Sequence, residues 1–165
     1  MLYTIAFLIG MLHIFHVEGG YAVLNDGAGA TKYGITQRTY PKEHIRSLTK
    51  RRAGMLYHRD FWSPIRGDEM SCVMSLTVFD HAVNTGKIRA IKLLQRTYEL
   101  PESGVVTNAL LHKLAMSEQR FYIYNEHRKQ QYRTFKGYRR FGKVWLRRIP
   151  KQSQCEQHIT EGDVF

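Results

Sequence analysis

The chain opens on a stretch with no polar face. Residues 1–15 run Met1-Leu-Tyr-Thr-Ile-Ala-Phe-Leu-Ile-Gly-Met-Leu-His-Ile-Phe15, without one Asp, Glu, Lys or Arg. A helix that is apolar all round has to be wrapped by other elements. The expected architecture is therefore a central buried helix. The alternative is an export signal or a membrane-associated segment. Against it, no Lys or Arg precedes the apolar run and no small-x-small cleavage site follows. The run also falls short of the roughly 20 residues that a membrane span needs. Gly19-Gly20 stops the helix near Val17 or Glu18.

Beyond that stop the pattern changes. Asn25-Asp26-Gly27-Ala28-Gly29 carries a turn signal, and its flanks suggest a short β-hairpin, with Tyr33-Gly34-Ile35-Thr36 as a further strand or its exit. Thr36 or Thr39 is expected to cap a following segment with Pro41 in its first turn. A helical pattern covers His44 to Trp62. Ser71 or Asp68 caps the next helix, whose apolar residues Val73, Met74, Leu76, Phe79, Ala82 and Val83 mark it as buried. Gly86 ends it. Another helix follows through Tyr98, a turn at Pro101–Gly104, a short helix capped by Thr107, and a last long helical region from Ser117. The residues after Pro150 read as a loose tail. The fold class is mainly α, with one small N-terminal β-hairpin element.

Composition narrows the setting. Hydrophobic residues make up 43% of the 165, which excludes a disordered chain. The net charge of +11 calls for an anionic partner: nucleic acid, an acidic lipid surface or an anionic wall polymer. Ten Lys and Arg fall between Arg128 and Lys151, a solvated helix face or a grip on such a polymer. Cys72 begins an apolar helical run and is expected as a small core residue, while Cys155 is expected exposed in the tail. A bridge between them is the less favoured arrangement. The eight His show no metal spacing, and no metal or cofactor is expected.

Glu18 is the sharpest chemical feature. A carboxyl at the end of an apolar helix borders a low-dielectric region and the negative end of the helix dipole, and both favour its protonated form. A protonated Glu can donate to a glycosidic oxygen. The two glycines after it leave room for a bulky polymer. A Glu at a helix end with a Gly-Gly cap is the plain structural alternative. Asp26 lies eight residues on and Thr31 five further. Glycoside hydrolysis commonly uses two carboxylates. Asp26 fits the second and Thr31 a holder of the attacking water, although a turn-forming role explains Asp26 as well.

These residues fall into an order that resembles a known family. Glu18-Gly-Gly-Tyr21, then Asp26-Gly-Ala-Gly29-Ala-Thr31-Lys-Tyr33-Gly34-Ile-Thr36, is similar to the start of the glycoside hydrolase family 108 lysozymes. Those are N-acetylmuramidases of phage-endolysin and toxin-secretion type. Tyr57-His-Arg-Asp-Phe61-Trp62, Phe79-Asp80-His-Ala-Val-Asn84-Thr-Gly86, Ile91 to Thr107 and Phe141-Gly-Lys-Val-Trp145-Leu-Arg-Arg148 resemble the later motifs in turn. Two departures stand out. The loop before Thr31 is one residue short, which leaves Asn25 or a water as alternatives to Asp26. The usual Gly before Trp145 is Val144.

The resemblance implies an α+β lysozyme-like fold with a catalytic lobe over 1–70, a helical lobe over 71–150 resembling a peptidoglycan-binding region, and the tail at 151–165. It implies hydrolysis of the β-1,4 bond between N-acetylmuramic acid and N-acetylglucosamine, in cell lysis or protein release. Glu18 would be the acid, with Asp26 and Thr31 beside it. Tyr21, Tyr33, Asp80 and Asn84 are the candidate substrate-binding residues. Asp80 and Asn84, four apart on one helix face, fit a structural role under the glycine-rich loop more readily than a glycan contact. The implied partner is the peptidoglycan glycan strand, with no nucleic acid and no stable membrane insertion. A protein made in the cytoplasm and acting at the wall would need a holin or another export partner, and no export route is evident. The rival functions are a wall-binding module without turnover, a nucleic-acid binder and a lytic transglycosylase.

Overall fold

The computed structural model describes residues 3–24 and 29–165. The opening run forms helix α1, Ile5–Glu18, capped by Thr4, whose hydroxyl accepts from the Phe7 amide at 3.3 Å. Phe7, Met11 and Ile14 are fully buried. Gly10 lets α1 approach its neighbour, because a Cβ there would stand 3.0 Å from the Phe79 ring. Three short antiparallel strands follow, β1 (Ala22–Leu24), β2 (Gly29–Lys32) and β3 (Ile35–Thr36), in the order β1-β2-β3. Ala22 pairs Thr31 and Thr31 pairs Thr36. The hairpin is thus present, and its turn lies outside the described residues.

Helices account for the rest: α2 (Lys50–Tyr57), α3 (Cys72–Thr85), α4 (Lys87–Thr97), α5 (Asn108–Met116), α6 (Phe121–Arg133), α7 (Tyr138–Arg147) and α8 (Glu161–Val164). The fold is mainly α with a small sheet, as the periodicity predicts. Two local expectations fail. No helix starts near Pro41. Instead, the Gln37 side-chain amide donates to the carbonyls of Tyr40, Pro41 and Glu43 and holds an irregular loop. The pattern over 44–62 is not one helix: Thr49 caps α2, and 58–62 widen into a π turn. Of the two residues expected at the start of α3, Ser71 is its N-cap and Asp68 is engaged elsewhere. It accepts from Trp62 Nε1 at 2.8 Å and Thr4 Oγ1 at 2.6 Å.

One core runs through the chain. Phe7, Trp62, Phe79, Leu94, Leu110 and Tyr124 belong to the same buried cluster, so apolar packing crosses residue 70 without a break. Helix α3 lies at its centre, against α1, α4 and α6.

The C-terminal segment corrects two expectations. Cys72 and Cys155 form a disulfide, and residues 151–165 are folded rather than loose. Residues 152–156 form a 3-10 turn near α1 and α3, and Val164 is buried. The sequence hides this because the two cysteines are 83 residues apart and each lies in unremarkable local context. A loop of that length, once closed, loses enough unfolded-state entropy to add about 4 kcal/mol. Replacing both cysteines with serine is expected to lower the unfolding free energy by about that amount in denaturant titrations.

Candidate active site

Glu18 is the last residue of α1, and Gly19 turns the chain at φ +73°. Among the described residues, a Cβ on Gly19 or on Gly20 would meet nothing within 4 Å. The surface beside the carboxyl is therefore open, as an approaching polymer requires. The opposite flank is closed. Gly34, at φ +76° between β2 and β3, rests on Glu18, and a Cβ there would stand 2.9 Å from Glu18 Cγ and collide with the Tyr57 hydroxyl. Tyr57 donates to the Tyr33 carbonyl at 2.9 Å. Burial pushes its hydroxyl far above the ordinary range, so it remains a donor. Gly34→Ala is expected to cost about 1–3 kcal/mol from backbone strain and overlap, and to lower turnover by displacing Glu18. Thermal unfolding and a lysis assay check the two effects.

The carboxyl is neither isolated nor desolvated. Glu18 is 24% exposed, and its Oε1 accepts from Arg148 Nη2 at 2.9 Å. Arg148 also donates through Nε to Asp80 Oδ1 at 3.0 Å and through Nη1 to Asn84 Oδ1 at 3.2 Å. The setting expected from the apolar helix alone is thus replaced by a buffered ionic one.

Asp80 is fully buried on α3. Burial alone would push its carboxyl up. Arg128, His13 and Arg148 outweigh that and hold it well below the usual carboxylate range. Arg128 Nη2 binds Oδ2, and His13 Nε2 lies 3.2 Å from Oδ1. Arg128 is itself buried, and its Nε donates to Tyr132 Oη at 2.7 Å. The chain continues to the surface. Gln154, next to Cys155, approaches His13 Nδ1 at 3.2 Å.

Two of the expected substrate contacts change as a result. Asp80 has no exposed surface, so it cannot touch a glycan; it anchors Arg148. Asn84 is half-buried with both ends of its amide engaged, Oδ1 by Arg148 and Nδ2 by Tyr132 Oη at 2.7 Å. The pair is therefore structural, but it braces Arg148 and Tyr132, with no bond to a described residue of the glycine-rich loop. Tyr21 is 47% exposed, just after the two glycines. Tyr33 is half-buried, its ring 5.3 Å from that of Phe15. Thr31 is half-buried on the middle strand, which leads into the turn at Gly34. Asp26 lies outside the described residues.

Sequence reasoning passed over Arg148, Arg128 and His13. Arg148 is the arginine that closes the last motif, but in the sequence it is one of ten cations between Arg128 and Lys151. A cavity of about 410 Å3 between Tyr3, Leu56 and His58 holds none of the candidate residues. The open surface at Glu18, by contrast, brings a carboxyl and a guanidinium together.

Comparisons with known proteins point to the same place. No curated protein matches the chain. The solved structure of Brucella abortus SagA is similar at a TM-score of 0.78 and 26% identity, covering 91% of this chain and 91% of SagA. Residues 11–86, which include Glu18, Gly34, Asp80 and Asn84, match the glycosyl hydrolase 108 family. The chain thus carries a region similar to the glycosyl hydrolase 108 family within a SagA-like fold, and the two matches support a glycosidase of the peptidoglycan-hydrolase class.

Proposed function

We propose that the protein cleaves the β-1,4 bond between N-acetylmuramic acid and N-acetylglucosamine, with Glu18 as the proton donor. The observation that carries this reading is the placement of Glu18. A partly exposed carboxyl ends a buried helix, with open glycine surface on one side and a fixed guanidinium on the other. Glu18 donates a proton to the glycosidic oxygen as the bond to the muramic C1 breaks. Asp26, which falls between β1 and β2 in the sequence, activates the water that attacks C1, and Thr31 helps hold it. That division of labour is inverting and needs a carboxyl separation of about 6.5–9.5 Å. Tyr21 and Tyr33 offer ring surface for the sugars on either side.

NMR of the first-formed anomer tests the arrangement. An α product supports a water on the far face of the sugar. A retained β product overturns the role given to Asp26 and Thr31 while leaving Glu18 as the acid.

The disulfide supports a place of action outside the cytoplasm, because such bonds persist in oxidising compartments. No helix among the described residues is long and apolar enough to cross a membrane. Use in lysis or in release of a secreted protein then depends on a holin or another export partner. The cationic surface near α7 supports retention on an anionic wall. Arg139, Arg140, Lys143 and Arg147 are exposed there.

A further inference from the structure

Acid catalysis by Glu18 leaves unexplained why a guanidinium from the far end of the chain is spent on it. Arg148 lies 130 residues from Glu18 in sequence, beyond the stretch that matches the family. It is only 11% exposed. Its three donor nitrogens go to three different side chains, Asp80, Asn84 and Glu18. A rigid planar fork meets three fixed acceptors in one orientation only. The first acceptor is immobile, since Asp80 is fully buried between Arg128 and His13. The second is tied to Tyr132. Glu18, 24% exposed, is the member that borders the two glycines. Among the described residues its other oxygen, Oε2, has no hydrogen-bond partner.

We propose that Arg148 is a positioning residue for Glu18. It fixes the carboxyl plane through Oε1 and leaves Oε2 as the oxygen that carries the catalytic proton. The inference rests on Glu18 being the acid. In the step, the Oε2–H bond breaks and its proton passes to the glycosidic oxygen, which takes the electron pair of the breaking C1–O bond. Water supplies the hydroxyl to C1 and gives its proton to the base. Glu18 ends as a carboxylate, and its bond from Arg148 becomes charge-assisted at both ends. That interaction is stronger after proton transfer than before, so it favours the transition state over bound substrate. A contact of this kind should register in kcat and not in KM.

Three variants test the idea on soluble glycan fragments. Arg148→Lys offers one ammonium in place of a fork and cannot serve all three acceptors. Its kcat should fall about 100-fold, the scale of an acid misplaced by an ångström, with KM unchanged. Asn84→Ala frees one arm of the fork and should lower kcat several-fold, again with KM unchanged. In a Glu18→Gln background, Arg148→Lys should cause no further loss, because both changes remove the same function. Circular dichroism reports folding, and if Arg148→Lys is unfolded, Asn84→Ala decides. Wild-type kcat in a folded Arg148→Lys protein overturns the proposal. So does a raised KM at constant kcat, which would make these residues sugar binders, or an additive loss in the double variant. If Glu18→Gln alone keeps full activity, the acid assignment fails and the proposal falls with it. If Glu18→Gln is inactive and Arg148→Lys is not, only the positioning role fails.

Discussion

Glu18→Gln is expected to lower glycan cleavage by about 10²–10⁴-fold, the usual contribution of a general acid. The variant should fold as the parent does. The amide oxygen of glutamine still accepts from Arg148, and the side-chain volume is conserved. Glu18 lies at the rim of the core rather than within it. Turbidity loss of wall suspensions gives the rate, and circular dichroism gives the fold. Clearance at near the parental rate by the folded variant would remove Glu18 from the mechanism.

Asp80→Ala should have the largest effect on stability, about 3–5 kcal/mol. In the buried cluster the Asp80 carboxylate faces two guanidiniums, Arg128 and Arg148. Deleting Asp80 leaves Arg128 buried with no counter-charge, and removing one partner of a buried pair costs far more than the pair contributes. Activity should fall too, because Arg148 loses its anchor. The same carboxyl predicts the acid response. Asp80 is held well below its ordinary range in the folded protein and titrates near about 3.9 when unfolded. A depressed folded pKa contributes stability that is fully present above about pH 4 and is lost as pH falls below it. Denaturant midpoints measured from pH 7 down to pH 2 should drop on the acid side in the parent and much less in Asp80→Ala. A midpoint flat with pH in the parent would contradict the ionised state of the cluster.

The parts of the structure legible in the sequence are those that local pattern encodes. An apolar run with no polar face gave α1, Gly19-Gly20 gave its end, and glycine-rich spacing gave the hairpin. Helix α3 followed from apolar residues at three and four. What the sequence concealed is made of distant partners. Nothing local marks Cys72 for Cys155, Gln154 for His13, or Arg148 for Glu18. Arg148 looked like one cation in a basic run because its two acidic partners lie 68 and 130 residues away. Asp80 and Asn84 were singled out by their spacing, but the same spacing serves a sugar contact or an internal brace. Only burial separates the two. The order of the tail is hidden because its polar composition says nothing of a disulfide anchor and a buried Val164.

The site has a simple physical logic. A carboxyl that must meet a bulky polymer needs open surface, and an exposed side chain is free to rotate. The fold supplies the opening with two glycines and the constraint with a guanidinium whose far end is locked in the core. Precision at the rim is thus provided by buried charge rather than by packing.

Mass spectrometry of fragments released from purified sacculi tests the central claim most directly. The account predicts new chain ends that carry hydrolysed, reducing N-acetylmuramic acid, released by the parent protein and not by Glu18→Gln. Ends in N-acetylglucosamine, 1,6-anhydro-muramic ends, or binding to sacculi without any new end would contradict it.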